Sequence, residues 1–239
     1  MTILDAIYPP HCAICDKVIS PSGSHICDSC RRRLPYVGEP RCLRCGKEIE
    51  NEEEEYCRDC SSKRRTFIKG FPLFKYVPPV SDSVMEMKYS GRQEHAVFYG
   101  EEMAAVFGEC YLSLGIQALI PVPLHKKKLI IRGYNQAELI ARVIGKKLDI
   151  PVVTDLIIRN ENTRPQNELD NIERENNIKS AFTGNEKNYL KKHGKLPEIV
   201  MLIDDIYTTG ATIEACTEIC YNLGIREVYY TSACIGAAK

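Results

Sequence analysis

The chain of 239 residues is 44% apolar and carries 32 acidic and 32 basic side chains. That balance excludes a global field that would draw the whole chain to nucleic acid or to an anionic membrane. The longest apolar run, residues 118–124, holds Pro121 and Pro123 and falls far short of the roughly 18 residues that span a bilayer, so no membrane span is expected. The first ten residues include Asp5 and lack the basic and apolar regions of a signal peptide, so a cytoplasmic location is expected.

Residues 1–65 are turn-rich and poor in periodic apolar positions. They hold eight of the 12 cysteines as four C-x-x-C pairs: Cys12/Cys15, Cys27/Cys30, Cys42/Cys45 and Cys57/Cys60. In a reducing compartment such pairs point to metal rather than to disulfides. Zinc takes four soft ligands at tetrahedral corners, and a C-x-x-C knuckle supplies two from one tight turn. The segment also repeats itself: Cys12-Ala-Ile-Cys15-Asp-Lys-Val-Ile resembles Cys42-Leu-Arg-Cys45-Gly-Lys-Glu-Ile. Two copies of one unit imply two structural zinc ions with sequential pairing; an interleaved cross-brace is the alternative. Eight thiolates fill two sites, so His11 and His25 are read as non-ligands. Metal removal is expected to unfold this segment and to leave the remainder folded.

From Thr66 the pattern alternates between strand and helix. Residues 67–77 read as a strand or hairpin. Ala96, Tyr99, Gly100, Met103, Ala104, Phe107, Cys110 and Tyr111 recur at helical spacing. Residues 118–122 read as a buried strand. A second helical stripe follows at Leu139, Ile140, Val143, Ile144 and Leu148, then a strand at 152–158 and a polar loop at 160–170. Residues 199–203 form a strand bounded by a double aspartate. A helix through Ala215, Cys216, Ile219, Cys220 and Leu223 stops at Gly224, and residues 227–235 form a last strand. The fold expected is α/β, a mostly parallel sheet with helices on both faces over residues 66–239, preceded by a small double zinc ribbon over residues 1–65. Cys110, Cys216, Cys220 and Cys234 are read as thiols packed as small hydrophobes.

The most specific stretch is Val200-Met-Leu-Ile-Asp204-Asp205-Ile-Tyr-Thr208-Thr209-Gly210-Ala211-Thr212. An apolar strand ends in two acids, and a loop of small and hydroxylic residues then opens a helix. Such a loop offers backbone N–H groups, hydroxyls and a positive helix end to a phosphate, with Gly210 permitting close approach. Two adjacent carboxylates suit the vicinal hydroxyls of a ribose, and both are expected to face an open cleft at the strand's carboxyl end. The other common phosphate motifs, G-x-x-x-x-G-K-[ST] and G-x-G-x-x-G, are absent.

This stretch resembles the phosphoribosyl pyrophosphate (PRPP) signature of type I phosphoribosyltransferases. Pro121-Val-Pro-Leu-His125, with Arg132-Gly-Tyr-Asn-Gln136, resembles a second signature, that of the ComF family of competence-associated proteins. Arg159, Thr163, Gln166, Leu169, Arg174, Asn177, Ala181 and Phe182 match a third, and the eight cysteines with Tyr8-Pro-Pro match that family's amino-terminal half. The resemblance implies that Asp204 and Asp205 hold the ribose hydroxyls, with one of them available as a general base. It implies that Thr208, Thr209, Gly210, Ala211 and Thr212 wrap the 5′-phosphate, and that the loop after residues 118–122 faces the pyrophosphate. Lys126, Lys127, Lys128 and Arg132 are the nearby cations, and Mg²⁺ bridges ribose and pyrophosphate oxygens. The loop 159–174 is either a lid or a packed surface loop. Two functions are implied: phosphoribosyl transfer to an acceptor, or PRPP binding without turnover in DNA uptake. The second brings in single-stranded DNA or a DNA-uptake helicase of the ComFA kind as partner, with Arg31, Arg32, Arg33 and Lys63, Arg64, Arg65 as local basic patches.

Overall fold

The computed structural model describes residues 9–20, 24–159 and 181–236. Four strands form one parallel sheet in the order β1 (Gly70–Lys75), β6 (Glu227–Ile235), β5 (Ile199–Tyr207), β2 (Ala118–Pro121). The two central strands are apolar nearly throughout, as a parallel strand covered on both faces requires. Side chains of β5 alternate between two cores. Met201 and Ile203 pack with α3 (Val80–Tyr89), α4 (His95–Ser113) and α6 (Gln136–Leu148). Val200 and Leu202 pack with α8 (Ala211–Asn222) on the other face. Where α4 and α6 meet, a Cβ on Gly100 would strike Val143 and one on Gly108 would strike Leu148, so the glycines set how closely these helices approach.

The cysteine segment is docked onto the open edge of this sheet. Its first unit, with α1 (Asp28–Arg31), contributes Cys12, Ala13, Ile14, Ile26 and Cys30 to the core on one face. Its second unit, with α2 (Arg58–Ser62), contributes Val37, Cys42, Cys45, Ile49 and Cys57 to the core on the other. Between them the chain runs along β1: Val37 N donates to Leu73 O at 3.0 Å, Lys75 N to Pro35 O at 2.8 Å and Gly70 N to Arg44 O at 2.8 Å. The two units therefore straddle the edge strand and satisfy backbone groups that an uncovered edge would expose.

The strand expected at 152–158 is two separate pieces. Val152 makes only a bridge to Leu119, with Val153 N donating to Leu119 O at 2.8 Å. Pro151 cannot donate to a ladder, and the chain bends at Asp155 and Leu156. Residues of β3 (Ile157–Arg159) then pair antiparallel with β4 (Phe182–Gly184), outside the main sheet. Beyond the cysteine segment, the described helices without a strong periodic signal in the sequence are α3, α5 (Lys126–Arg132) and α7 (Glu186–His193). The strand of the double aspartate runs on past the acids to Tyr207. The polar loop at 160–170, most of the loop 159–174, and Tyr8, Thr163, Gln166, Leu169, Arg174 and Asn177 lie outside the described residues.

Tyr230 joins the two halves. Its ring stacks on Tyr207 at 4.6 Å between centroids and meets Phe67 edge-on at 5.0 Å, and its hydroxyl donates to Cys45 O at 2.7 Å. Gly70 lies flat against that ring, and a Cβ there would overlap it. Gly70→Ala is expected to push Tyr230 aside and to cost about 1–3 kcal/mol of stability, measured by urea unfolding. An unchanged midpoint would contradict this packing.

Candidate functional site

The eight cysteines form two sets, Cys12/Cys15/Cys27/Cys30 and Cys42/Cys45/Cys57/Cys60, each with all four sulfurs within 4.8 Å of one another. Pairing is sequential, and the cross-brace alternative is excluded. Tetrahedral coordination at about 2.3 Å places sulfurs about 3.8 Å apart, and the Sγ–Sγ separations are 3.8 Å for Cys15–Cys27 and 3.6 Å for Cys45–Cys57. Cys27 N donates to Cys12 Sγ at 3.4 Å, and Cys45 N to Cys42 Sγ at 3.5 Å. Thiolates at this spacing fit zinc, and each set is a zinc-binding site of four cysteines. The repeat is visible in the backbone. Asp16 and Gly46, which follow the first knuckle of each unit, both take positive φ, at 56° and 70°. The bridges His11–Val18 and Arg41–Glu48 are likewise equivalent. Neither histidine belongs to a cysteine set: His11 Nδ1 contacts Asp16 Oδ1 at 3.1 Å and His25 Nε2 contacts Glu101 at 3.4 Å. Cys216, Cys220 and Cys234 are buried thiols as expected, whereas Cys110 is only partly buried.

The double aspartate lies at the carboxyl end of β5, with Asp204 in register with Ser232 of β6. Asp205 is more enclosed than an open cleft implies: it is 8% exposed, and its Oδ1 pairs with Lys88 Nζ at 2.8 Å. Asp204 is partly exposed; its Oδ1 accepts from Asp205 N at 2.9 Å. Burial and the adjacent Asp205 push the Asp204 carboxyl up to about 7, against the opposing pull of Lys88.

Beyond the acids the chain turns through exposed Thr208 and Thr209 to Gly210, at φ 77°, and enters α8 with Ala211 and Thr212 at its start. Gly210 is required twice over, by its left-handed backbone and because a Cβ would overlap the Tyr207 ring. Among the described residues no side chain caps this helix end, so its first-turn amides are available to an anion.

Lys88, which the sequence did not single out, lies in the last turn of α3 and is braced by the segment that follows β2. Within Arg132-Gly-Tyr-Asn-Gln136, Tyr134 donates its hydroxyl to Met87 O at 2.7 Å and Gln136 Nε2 reaches the same carbonyl at 3.4 Å. Asn135 caps α6 through Ala137 N and donates to Val122 O at 2.9 Å. The motif thus ties the end of α3 to the end of β2 and fixes Lys88 against Asp205. Arg132 itself stacks on Tyr89 at 4.9 Å and donates to Gln136 Oε1 at 3.0 Å. Lys88, Tyr89, Lys128, Ile131, Arg132 and Tyr134 line a cavity of about 240 Å³ beside the acids. Partial burial and the positive charges of Arg159 and Arg132 hold Lys128 below the usual lysine value. Lys126 and Lys127 are exposed on α5. Arg159, at the end of β3, stacks on Phe182 at 5.1 Å, and its buried Nε lacks a hydrogen-bond partner among the described residues. Burial lowers its pKa, and the negative charge of Asp204 opposes that.

A parallel α/β sheet consistent with the phosphoribosyltransferase-like fold, joined to two four-cysteine zinc sites, defines the class of protein. Residues 3–61 match the family model of the double zinc ribbon domain. Over 231 residues the chain is 26% identical to competence protein F of Haemophilus influenzae, covering 91% of this chain and 93% of that one. It is 27% identical to competence protein ComFC of Streptococcus pneumoniae, covering 86% and 85%. It is 23% identical to the DNA utilization protein YhgH of Escherichia coli, covering 95% and 97%. Over most of its length the chain is thus similar to proteins named for competence and for DNA utilization. No described helix is long and apolar enough to cross a membrane.

Two outcomes follow from these geometries. Because the cysteine units share both cores with the sheet, chelation of zinc is expected to loosen β1 as well as the ribbon, contrary to the separate unfolding that the sequence suggested. Hydrogen exchange should quicken at the amides of Gly70–Lys75; unchanged protection there would contradict the shared core. The second outcome concerns Asp204. Its folded pKa lies above the ordinary 3.8, so the folded state binds the proton more tightly, and stability falls as pH rises from about 4 to about 7. Asp204→Asn should raise the Tm by about 2–8 °C at pH 8, with the gain vanishing near pH 4. A gain of equal size at both pH values would refute this.

Proposed function

We propose that the chain binds PRPP at the carboxyl end of β5 and acts in DNA uptake as a phosphoribosyltransferase-like protein. The observation that carries the reading is the continuity of one segment: a buried strand, the Asp204–Asp205 pair, the Gly210 turn, and an uncapped twelve-residue helix. Thr208, Thr209, Gly210, Ala211 and Thr212 take the 5′-phosphate, and Asp204 and Asp205 accept hydrogen bonds from the ribose hydroxyls. Lys88, Lys128, Arg132 and Arg159 surround the position for the pyrophosphate and balance its charge. Mg²⁺ arriving with the ligand would lie near Asp204 and supply further charge neutralisation. Transfer consists of attack by an acceptor on C1 of the ribose with loss of the bond to pyrophosphate. Asp204, titrating near neutrality, is suited to take the acceptor's proton. The relatives, named as competence and DNA utilization proteins, support the biological setting.

A second reading is favoured by a separate observation. A cavity of about 570 Å³ between the second ribbon and α8 is lined by Arg44, Arg64, Arg65, Tyr56 and Tyr221. Arginines beside the exposed Tyr56 and the half-buried Tyr221 suit the phosphates and bases of single-stranded DNA. Arginines are engaged in both basic patches: Arg44 donates to Phe67 O at 2.8 Å and Arg65 to Thr209 O at 2.6 Å, while Arg31 pairs with Glu102 at 3.4 Å and Arg33 Nε donates to Ser29 O at 3.2 Å, so the cavity and its tyrosines are what set this patch apart from Arg31, Arg32 and Arg33. On this reading the chain is a PRPP-binding adaptor for DNA or for a helicase partner, and turnover is absent.

In calorimetry, Asp204→Asn and Asp205→Asn should each weaken PRPP binding about ten- to a hundredfold, the worth of hydrogen bonds to a charged partner. Binding equal to that of the parent would remove the acids from the site. For the DNA reading, each lost phosphate contact should flatten the log–log salt dependence of single-strand affinity by about 0.7. An unaltered slope in an Arg44→Ala/Arg64→Ala protein would exclude the patch.

A further inference from the structure

Residues that link the second ribbon to β1 also grip the phosphate loop. Cys60 sits in α2, which ends at Ser62. Arg65, just beyond it, donates from Nη2 to Thr209 O at 2.6 Å. The next amide, Thr66 N, donates to Glu214 Oε1 at 2.8 Å. The carbonyl of Thr66 accepts from the Tyr221 hydroxyl at 3.1 Å. Arg65 and Thr66 are thus fastened at three points: to the loop before the Gly210 turn, to the first turn of α8, and to its last turn.

Two physical consequences follow. In a trans peptide the C=O and N–H point in opposite directions. Holding the Thr209 carbonyl toward the ribbon therefore aims the Gly210 N–H away from the ribbon, on the side of the loop's open face. The second consequence is electrostatic. Glu214 is 8% exposed and lies in the first turn of α8, where its negative charge offsets the positive helix end that attracts a phosphate. Its Oε2 lacks a hydrogen-bond partner among the described residues, and so does Arg65 Nε. The Arg65 guanidinium, held on the loop at Thr209 O, is near enough to Glu214 to feel its charge: burial acts to lower the Arg65 pKa and the negative charge of Glu214 opposes that.

We propose that Arg65 is a positioning residue for the phosphate loop: by holding the Thr209–Gly210 peptide and countering Glu214, it sets the affinity of the site for the 5′-phosphate of a phosphoribosyl ligand. The proposal rests on the PRPP reading above and adds to it a dependence of the sugar-phosphate site on the zinc ribbon's last residues.

The test uses the full zinc-loaded chain, its Arg65→Ala and Arg65→Lys variants, and three ligands: PRPP with Mg²⁺, ribose 5-phosphate and inorganic pyrophosphate. Arg65→Ala is expected to weaken PRPP and ribose 5-phosphate about tenfold each, and to leave pyrophosphate affinity unchanged. Arg65→Lys, which keeps the charge and one donor, should recover part of the loss. In the absence of ligand, exchange of the amides over residues 208–214 should quicken in Arg65→Ala and slow again in Arg65→Lys. Unaltered ribose 5-phosphate affinity in Arg65→Ala, or an equal loss of pyrophosphate affinity, would overturn the proposal. Should the parent bind neither sugar phosphate, the PRPP reading itself falls and the role of Arg65 in binding falls with it, whatever the exchange data show.

Discussion

An open sheet leaves one row of backbone groups unpaired at each edge, and in this chain the β1 edge is closed by the cysteine segment. Val37, Arg44 and Pro35 supply the partners along that edge. This one constraint orders much else. A ribbon too small to build its own core shares the two cores of the sheet, and each cysteine unit serves a different face. Zinc then fixes a turn-rich segment that has little periodic apolar sequence with which to hold itself. The metal sites are therefore structural for the sheet edge as well as for the ribbon.

The same docking reaches the candidate ligand site by two routes. Through Tyr230, the second knuckle is joined to Tyr207, and Tyr207 packs under the Gly210 turn. Through Arg65 and Thr66, the end of the ribbon is joined to Thr209 and Glu214. On the opposite side, the Arg132–Gln136 segment holds α3 so that Lys88 meets Asp205. The acid pair lies between the ribbon-supported Gly210 turn and a cluster of cations, the arrangement from which the proposed PRPP site is argued.

Much of this was legible in the sequence, because some features act through local spacing alone. The C-x-x-C pairs and their repetition gave the sequential sets, and the unbroken apolar run before Asp204 marked a central strand. Lys88 was not legible: a lysine in the last turn of a ten-residue helix looks like an ordinary complement to the helix dipole. Its meaning depends on Tyr134 and Gln136, which act on it from a distant part of the chain. The split of residues 152–158 was hidden because a β-branched run looks the same whether it forms one strand or two short ones. The docking of the ribbon was hidden too, since the cysteines signal metal and carry no sign that their knuckles also pack as core.

The central claim is that the β5–α8 turn holds a phosphoribosyl ligand between its amides and the Lys88–Arg132 side. A crystal structure of the zinc-loaded protein with PRPP and Mg²⁺ tests it most directly. The account predicts the 5′-phosphate on the amides of Thr208–Thr212, the ribose hydroxyls on Asp204 and Asp205, and the pyrophosphate toward Lys88, Lys128 and Arg132. Ligand bound elsewhere, or an empty turn at saturating PRPP, would contradict it.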